Sequence, residues 1–265
     1  MTSKKPADAQ VDTRTPNDAE TYDAVLGVPA AFRAELEQYI VTSPGPFVWK
    51  MQNFTKYVPR QVLTRFIARY EMFKRVLDIQ GSIFECGVLG GGGLMAWAQL
   101  SAILEPLNYQ RRLVGFDTFA GFADLSPEDA TGESSVSFKG ALALDSYADI
   151  MESARLYDAN RFLPNLPKVS LVRGDMKDTI PKYLEANPET LVSLLYIDVD
   201  VFEPTRVALE QLVPRMPKGA ILAFDELNDR GWPGETIALL QTIGVRSLRL
   251  QRFSFDTKIS YAVLE

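Results

Sequence analysis

Two short acidic stretches carry the most chemistry in this sequence: Asp198 and Asp200 in Tyr196-Ile197-Asp198-Val199-Asp200, and Asp225 and Glu226 in Phe224-Asp225-Glu226. Each follows an apolar run that reads as a buried strand, so each sets carboxylates at a strand's carboxyl end. If those strands are neighbours, up to four carboxylates converge on one rim, where they repel and raise one another's pKa. A bound divalent cation relieves that repulsion. Oxygen donors without nitrogen or sulfur suit Mg2+, with Mn2+ or Ca2+ also possible. The plainer alternative makes these acids solvated helix caps, with Asp200 serving the helix that begins near Pro204.

The rest of the composition narrows the chemistry. The chain of 265 residues contains no histidine, which removes Ser-His-Asp catalysis, histidine-bound zinc and any imidazole base, and leaves proton transfer to carboxylates, lysine or tyrosine. Its one cysteine, Cys86, excludes an internal disulfide framework. A formal net charge of -6 argues against nucleic acid as the partner and favours a small molecule. No apolar run reaches the ~18 residues of a membrane span, and no secretory signal appears, so no membrane partner and a cytoplasmic location are expected.

A third region, Glu85-Cys86-Gly87-Val88-Leu89-Gly90-Gly91-Gly92-Gly93, is a glycine turn in which the backbone can bend sharply and approach a ligand. Gly91, Gly93 and Ala96 also fit the dinucleotide pattern G-x-G-x-x-A, so nicotinamide dinucleotide and S-adenosylmethionine both remain open. Asp117 can accept hydrogen bonds from two ribose hydroxyls, or cap a local turn. In Gly174-Asp175-Met176, Asp175 can accept from an adenine amino group while Met176 lies against the ring, or Asp175 is a turn residue.

The elements that position these residues alternate between strand and helix. Residues 1–28 are polar and without period, and are expected to be a flexible tail ahead of one domain over 29–265. An amphipathic helix spans 59–80, and strand 83–89 leads through the glycine turn into a buried helix at 94–104. Strand 113–117 is followed by a long segment, 118–167, that contains a helix at 147–157 and is the candidate lid. Strands at 169–173 and 191–197 follow, the second central. A helix opens at Pro204 and ends at Pro214, strand 220–224 follows, and a helix at 236–243 closes on Gly244. Strands 247–253 and 258–264 complete the chain as an antiparallel pair. The whole is a doubly wound α/β fold with a mostly parallel seven-stranded sheet, and ligands in such sheets sit at the strands' carboxyl ends.

Six stretches in this order resemble the macrocin O-methyltransferase family: Glu85 to Gly93, G-F-D-T-F-A-G-F from Gly115, V-R-G-D from Val172, L-Y-I-D-V-D-V-F-E-P-T from Leu195, F-D-E-L-N from Phe224, and W-P-G-E from Trp232. The resemblance implies a Rossmann-like class I methyltransferase with an N-terminal helical cap. It would methylate a sugar hydroxyl in antibiotic biosynthesis with S-adenosylmethionine and Mg2+, on a deoxysugar that is nucleotide-linked or glycoside-attached. It also implies that Asp198, Asp225 and Glu226 bind the metal, and that Asp198 and Asp200 are catalytic, Asp200 as general base. Glu85, Gly87, Val88, Gly91, Asp117, Thr118, Asp175, Met176 and Asp198 would contact the cofactor. Glu226 stands where the family usually has a second aspartate, so Asn228 is the alternative third ligand. A homo-oligomer is the expected assembly. Arg60, Arg65, Lys50, Tyr57 and Trp232 are available to a substrate or to ordinary structural roles. The alternatives are a catechol-type O-methyltransferase, a nicotinamide-dependent dehydrogenase, a glycosyltransferase using Asp198-Val199-Asp200, and a non-catalytic nucleotide-binding scaffold.

Overall fold

The computed structural model describes residues 29–265; the tail expected over 1–28 lies outside the described residues. Two helices, α1 (Ala30–Thr42) and α2 (Phe47–Gln52), precede α3 (Arg60–Arg75). Lys50 donates to the carbonyls of Ile40 and Val41, tying α2 to α1, and Ser43 Oγ donates to the hydroxyl of Tyr57, which lies beyond α2. Helix α3 stops short of the expected residue 80. Arg111 takes the freed carbonyls beyond its end, donating to Val76 at 2.8 Å and Ile79 at 3.1 Å.

The strands are β1 (Ser82–Cys86), β2 (Leu113–Asp117), β3 (Val169–Arg173), β4 (Val192–Ile197), β5 (Ile221–Phe224), β6 (Gln251–Arg252) and β7 (Ser260–Val263). They form one seven-stranded sheet in the order β3-β2-β1-β4-β5-β7-β6, which puts β4 in the middle, with all six of its residues buried. The pairings from β3 to β5 are parallel and those of β7 antiparallel, as expected for a covered sheet with a terminal hairpin. The terminal strands are shorter than expected. Leu248 folds back on Val245 in a turn, and Val245 and Leu250 stay exposed, so that part of the apolar run has no sheet face to cover.

Alternating strand residues feed two cores. Ile83, Leu113, Leu194, Tyr196 and Ile221 pack with α3, α4 (Gly92–Leu104) and α5 (Tyr147–Ala159) on one face. Phe84, Val114, Leu195 and Leu222 pack on the other with α6 (Met176–Ala186), α7 (Phe202–Leu212) and α8 (Gly234–Gln241). The chain builds β1, β2 and β3 outward in one direction and β4 and β5 in the other, so the topological switch lies between β1 and β4. Among the described residues no helix is long and apolar enough to cross a membrane.

Candidate active site

A cavity of about 440 Å³ opens over the switch point, at the carboxyl ends of the parallel strands. The glycine turn, Asp117, Thr118, Asp175, Met176 and the carboxylates of both acidic stretches line it, together with Phe122, Ser126 and Leu142 from the 118–167 segment. Arg65 and Trp232 reach it; Arg60, Lys50 and Tyr57 do not.

Strand β1 ends at Cys86, before the expected residue 89, for a local reason. Gly87 has φ +88°, and a Cβ there would lie 1.7 Å from the Asp198 carbonyl oxygen, so the β1 and β4 rims approach as only glycine permits. The next two amides turn aside, Val88 and Leu89 donating to Asp117 Oδ2 at 2.7 and 2.9 Å. Phe119 N–H donates to Asp117 Oδ1 at 2.6 Å. Three backbone donors therefore occupy Asp117 and leave it about one of the four lone-pair positions of a carboxylate, where the sequence suggested room for two hydroxyls. Gly91 has φ +81° and caps α4 with its Cα facing Ile150, behind the cavity lining. Thr118 shapes the turn after β2, its hydroxyl donating to the Gly121 carbonyl at 2.7 Å. Asp175 caps α6 by accepting the Lys177 N–H at 3.0 Å, so its turn role is real even though it faces the cavity.

The acidic stretches meet because β4 and β5 are adjacent and in register, Ile197 opposite Phe224. One oxygen each of Asp198, Asp200 and Glu226 lies within 4.8 Å of the others. Asp200 does not cap α7. That helix begins at Phe202, whose N–H is taken at 2.8 Å by Asp129 from the 118–167 segment. Asp200 sits in the left-handed region, φ +64°, a costly conformation for aspartate that turns its carboxylate back toward Asp198 and Glu226. Asp225 stands apart from the trio. Its oxygens accept from Arg65 at 2.7 and 2.6 Å, and Oδ1 also accepts from the Tyr196 hydroxyl at 2.7 Å. Asn228 does not line the cavity, and its backbone N–H donates to Thr236 Oγ1 at 2.8 Å.

The electrostatics follow from this geometry. Burial and then the charge of Asp225 raise Asp198 and Glu226 well above the usual carboxylate range and push Asp200 up to about 7. Burial also acts on Asp225, but the Arg65 charge outweighs it and holds that carboxyl at about 2. Lys258 supplies a second cation, 3.2 Å from Glu226 Oε1, while Glu226 Oε2 is buried without a hydrogen-bond partner. A converging set of hard oxygen donors with an orphaned oxygen and surplus negative charge fits a divalent cation of the Mg2+, Mn2+ or Ca2+ kind.

Two site residues escape a reading of the sequence. Glu235, fully buried on α8, accepts N–H groups from Val199 at 3.2 Å, Asp200 at 3.3 Å and Glu226 at 3.1 Å. It thereby pins both acid-bearing loops to each other; its place in W-P-G-E was the available signal. Arg69 on α3 lines the cavity beside Glu85, and nothing in its own stretch of sequence marks it.

Residues 62–234 match the macrocin-O-methyltransferase (TylF) family. No curated protein matches the chain. Among solved structures, CalS11, a calicheamicin methyltransferase, is 32% identical with a TM-score of 0.83, covering 93% of this chain and 94% of that one. An apo structure of CalS11, described as a TDP-rhamnose 3'-O-methyltransferase of calicheamicin biosynthesis, is 30% identical with a TM-score of 0.75, covering 93% and 96%. The O-methyltransferase NovP shares the fold at 18% identity and a TM-score of 0.57, over 76% and 79%. With the glycine turn, the carboxylate rim and the sheet order in the places the sequence motifs require, the chain is an O-methyltransferase and belongs to the macrocin-O-methyltransferase family.

Proposed function

We propose that this enzyme moves a methyl group from S-adenosylmethionine to a sugar hydroxyl, on a nucleotide-linked or glycoside-attached deoxysugar in antibiotic biosynthesis. The observation that carries the reading is the meeting of Asp198, Asp200 and Glu226 in the same cavity as the glycine turn. The TDP-rhamnose acceptor named for CalS11 supports a sugar. Asp117, Asp175 and Met176 would hold the nucleoside end of the cofactor, and Glu85, Gly87 and Val88 of the glycine turn would contact it as well.

Asp198 and Glu226 would hold the divalent cation, and Asp225 would join them if released by Arg65. Bound there, the cation supplies a Lewis acid that lowers a hydroxyl's pKa and fixes its direction. Asp200 is the general base. Burial and the charge of Asp225 raise its carboxyl to about 7 without a cation, and a cation bound beside it would lower that value and keep the base ionised near neutral pH. Glu235 holds Asp200 in place through its backbone. Phe122, in edge contact with Trp232 at 5.5 Å between ring centres, joins the 118–167 segment to the β5–α8 loop and helps exclude water.

The test is transfer of labelled methyl from S-adenosylmethionine to a panel of nucleotide deoxysugars, finished glycosides and catechols. Label on a sugar oxygen, reduced about 100-fold or more in Asp200→Asn, is the expected result. Label on a catechol alone would replace the sugar reading, and full turnover in Asp200→Asn would remove the base.

A further inference from the structure

Asp200 keeps a left-handed conformation, φ +64°, which costs energy for a residue with a Cβ and persists only where the surroundings over-determine it. The four amides from Val199 to Phe202 show how it is held. Val199 and Asp200 donate to Glu235 Oε1 at 3.2 and 3.3 Å, Val201 N–H donates to the Val199 carbonyl at 2.7 Å, and Phe202 N–H donates to Asp129 Oδ1 at 2.8 Å. The turn that carries the base is therefore gripped by one carboxylate before it and another after it. Glu235 comes from α8, and Asp129 from the 118–167 segment.

Asp129 is buried, and its second oxygen accepts the Ser126 N–H at 2.8 Å. Ser126 lines the cavity, so one side chain joins a residue of the cavity wall to the Asp200 turn. Two backbone contacts hold the same stretch against the β5–α8 loop, Glu133 N–H to the Arg230 carbonyl at 3.0 Å and Ser134 N–H to the Gly231 carbonyl at 3.4 Å. Gly234 leaves the space in which Asp129 meets Phe202: a Cβ there would lie 2.5 Å from both Asp129 Oδ1 and the Phe202 nitrogen. A helix start of this kind is ordinarily capped by its own neighbour, a Ser, Thr, Asp or Asn. Valine stands at that position, 201, and caps nothing with its side chain, so the amide is taken from 73 residues away in sequence.

We propose that Asp129 is a positioning residue for the base: by holding the Phe202 N–H it keeps Asp200 in its left-handed conformation, and through Ser126 it ties that conformation to the cavity wall. This rests on the reading of Asp200 as the general base. Asp129 does not itself line the cavity, so its effect passes through Asp200. Without the contact the Phe202 amide is left buried and unpaired, and the turn relaxes toward ordinary backbone angles. The Asp200 carboxylate then leaves its place beside Asp198 and Glu226 and meets the acceptor proton from a worse distance. A displacement of about 1 Å in a reacting group lowers a rate by up to about 100-fold.

A double-mutant cycle in kcat tests this, with labelled S-adenosylmethionine, Mg2+ and, at saturation, the member of the acceptor panel above that takes most label in the wild type. Asp129→Ala should lower kcat about 10- to 100-fold in the wild-type background. In the Asp200→Asn background the same change should lower it by less than about 3-fold, because a base already removed cannot be misplaced. A merely structural role, loosening the fold or the acceptor's hold, would lower both backgrounds by the same factor. Isothermal titration with S-adenosylhomocysteine checks that the variant is folded, and its affinity should be unchanged. Should Asp129→Ala lose that binding, Gly234→Ala repeats the cycle with Asp129 intact, its Cβ wedged between Asp129 and Phe202, and the same outcomes decide it. Wild-type kcat in Asp129→Ala, or equal losses in the two backgrounds, overturns the positioning role. Full turnover in Asp200→Asn alone overturns the base reading instead, and a wild type that labels no member of the panel overturns the acceptor reading; each is distinct from a cycle that shows no coupling.

Discussion

Replacing Arg65 by methionine strands a buried carboxylate, and the cost can be worked from the structure. The two Arg65 nitrogens lie 2.7 and 2.6 Å from the oxygens of Asp225, whose side chain is 2% exposed. Asp225 is held at about 2 against an ordinary 3.8, a difference worth roughly 2–3 kcal/mol at about 1.4 kcal/mol per unit. Removing one partner of a buried pair typically costs about 3–5 kcal/mol, because the remaining charge is left without compensation. Arg65→Met should therefore destabilise the metal-free protein by about 2–5 kcal/mol, read by urea unfolding in EDTA at pH 7. Saturating Mg2+ should recover at least half of that loss, since a cation among Asp198, Asp225 and Glu226 replaces the missing charge. Mg2+ should also bind Arg65→Met more tightly than wild type, because Arg65 no longer competes for Asp225. A loss below about 1 kcal/mol, or a loss that Mg2+ leaves unchanged, would refute the idea that Arg65 and a metal ion share one set of carboxylates.

Glu235→Gln keeps the shape of the side chain but replaces one accepting oxygen with a nitrogen that cannot accept, so at least one of the three loop amides it holds is left buried and unpaired. The expected loss is about 1–3 kcal/mol by urea unfolding; an unchanged midpoint would show that the loops do not depend on it. The pH dependence has a definite sign. Burial raises Glu85 and Asp200 to about 7 and Glu235 to about 8, so between roughly pH 4 and 8 the native state holds protons that the unfolded chain has released, and stability falls as pH rises. Asp225 acts in the other direction: its contribution is present above about pH 4 and is lost as pH falls toward 2. The Tm in EDTA should drop from pH 5 to pH 8 and flatten when Mg2+ is added; a rising Tm over that window contradicts the assignment. Gly93→Ala, whose Cβ meets Glu85 and Arg69, should weaken S-adenosylhomocysteine binding at least 10-fold, whereas Gly92→Ala, with nothing within 4 Å of its Cβ, should bind normally.

The sheet was readable because its strands carry simple patterns. β2 and β3 begin and end where the sequence places them, and the unbroken apolar run of β4 marks it as the middle strand. Helix α6 was not readable: Pro181 lies inside it, and the buried spacing of Met176, Ile180 and Leu184 is interrupted by a residue that normally ends a helix. The meeting of Asp198, Asp200 and Glu226 was legible once β4 and β5 were taken as neighbours. What the sequence could not show is Asp225 turned to Arg65, 160 residues away, or Asp117 occupied by the amides of the glycine turn. Half of the glycine run also hid its meaning. Gly91 and Gly93 are forced by Ile150 and by the Glu85–Arg69 pair, while Gly90 and Gly92 face little that a Cβ would meet.

The most direct test of the account is methyl transfer from labelled S-adenosylmethionine to a nucleotide-linked deoxysugar by protein stripped with EDTA, with Mg2+ then returned stepwise. The stripped protein should retain S-adenosylhomocysteine binding but transfer no label, and transfer should return as Mg2+ fills the site, in wild type but not in Asp198→Ala. Full transfer in EDTA, or full recovery in Asp198→Ala, would contradict a carboxylate-held cation at the centre of the reaction.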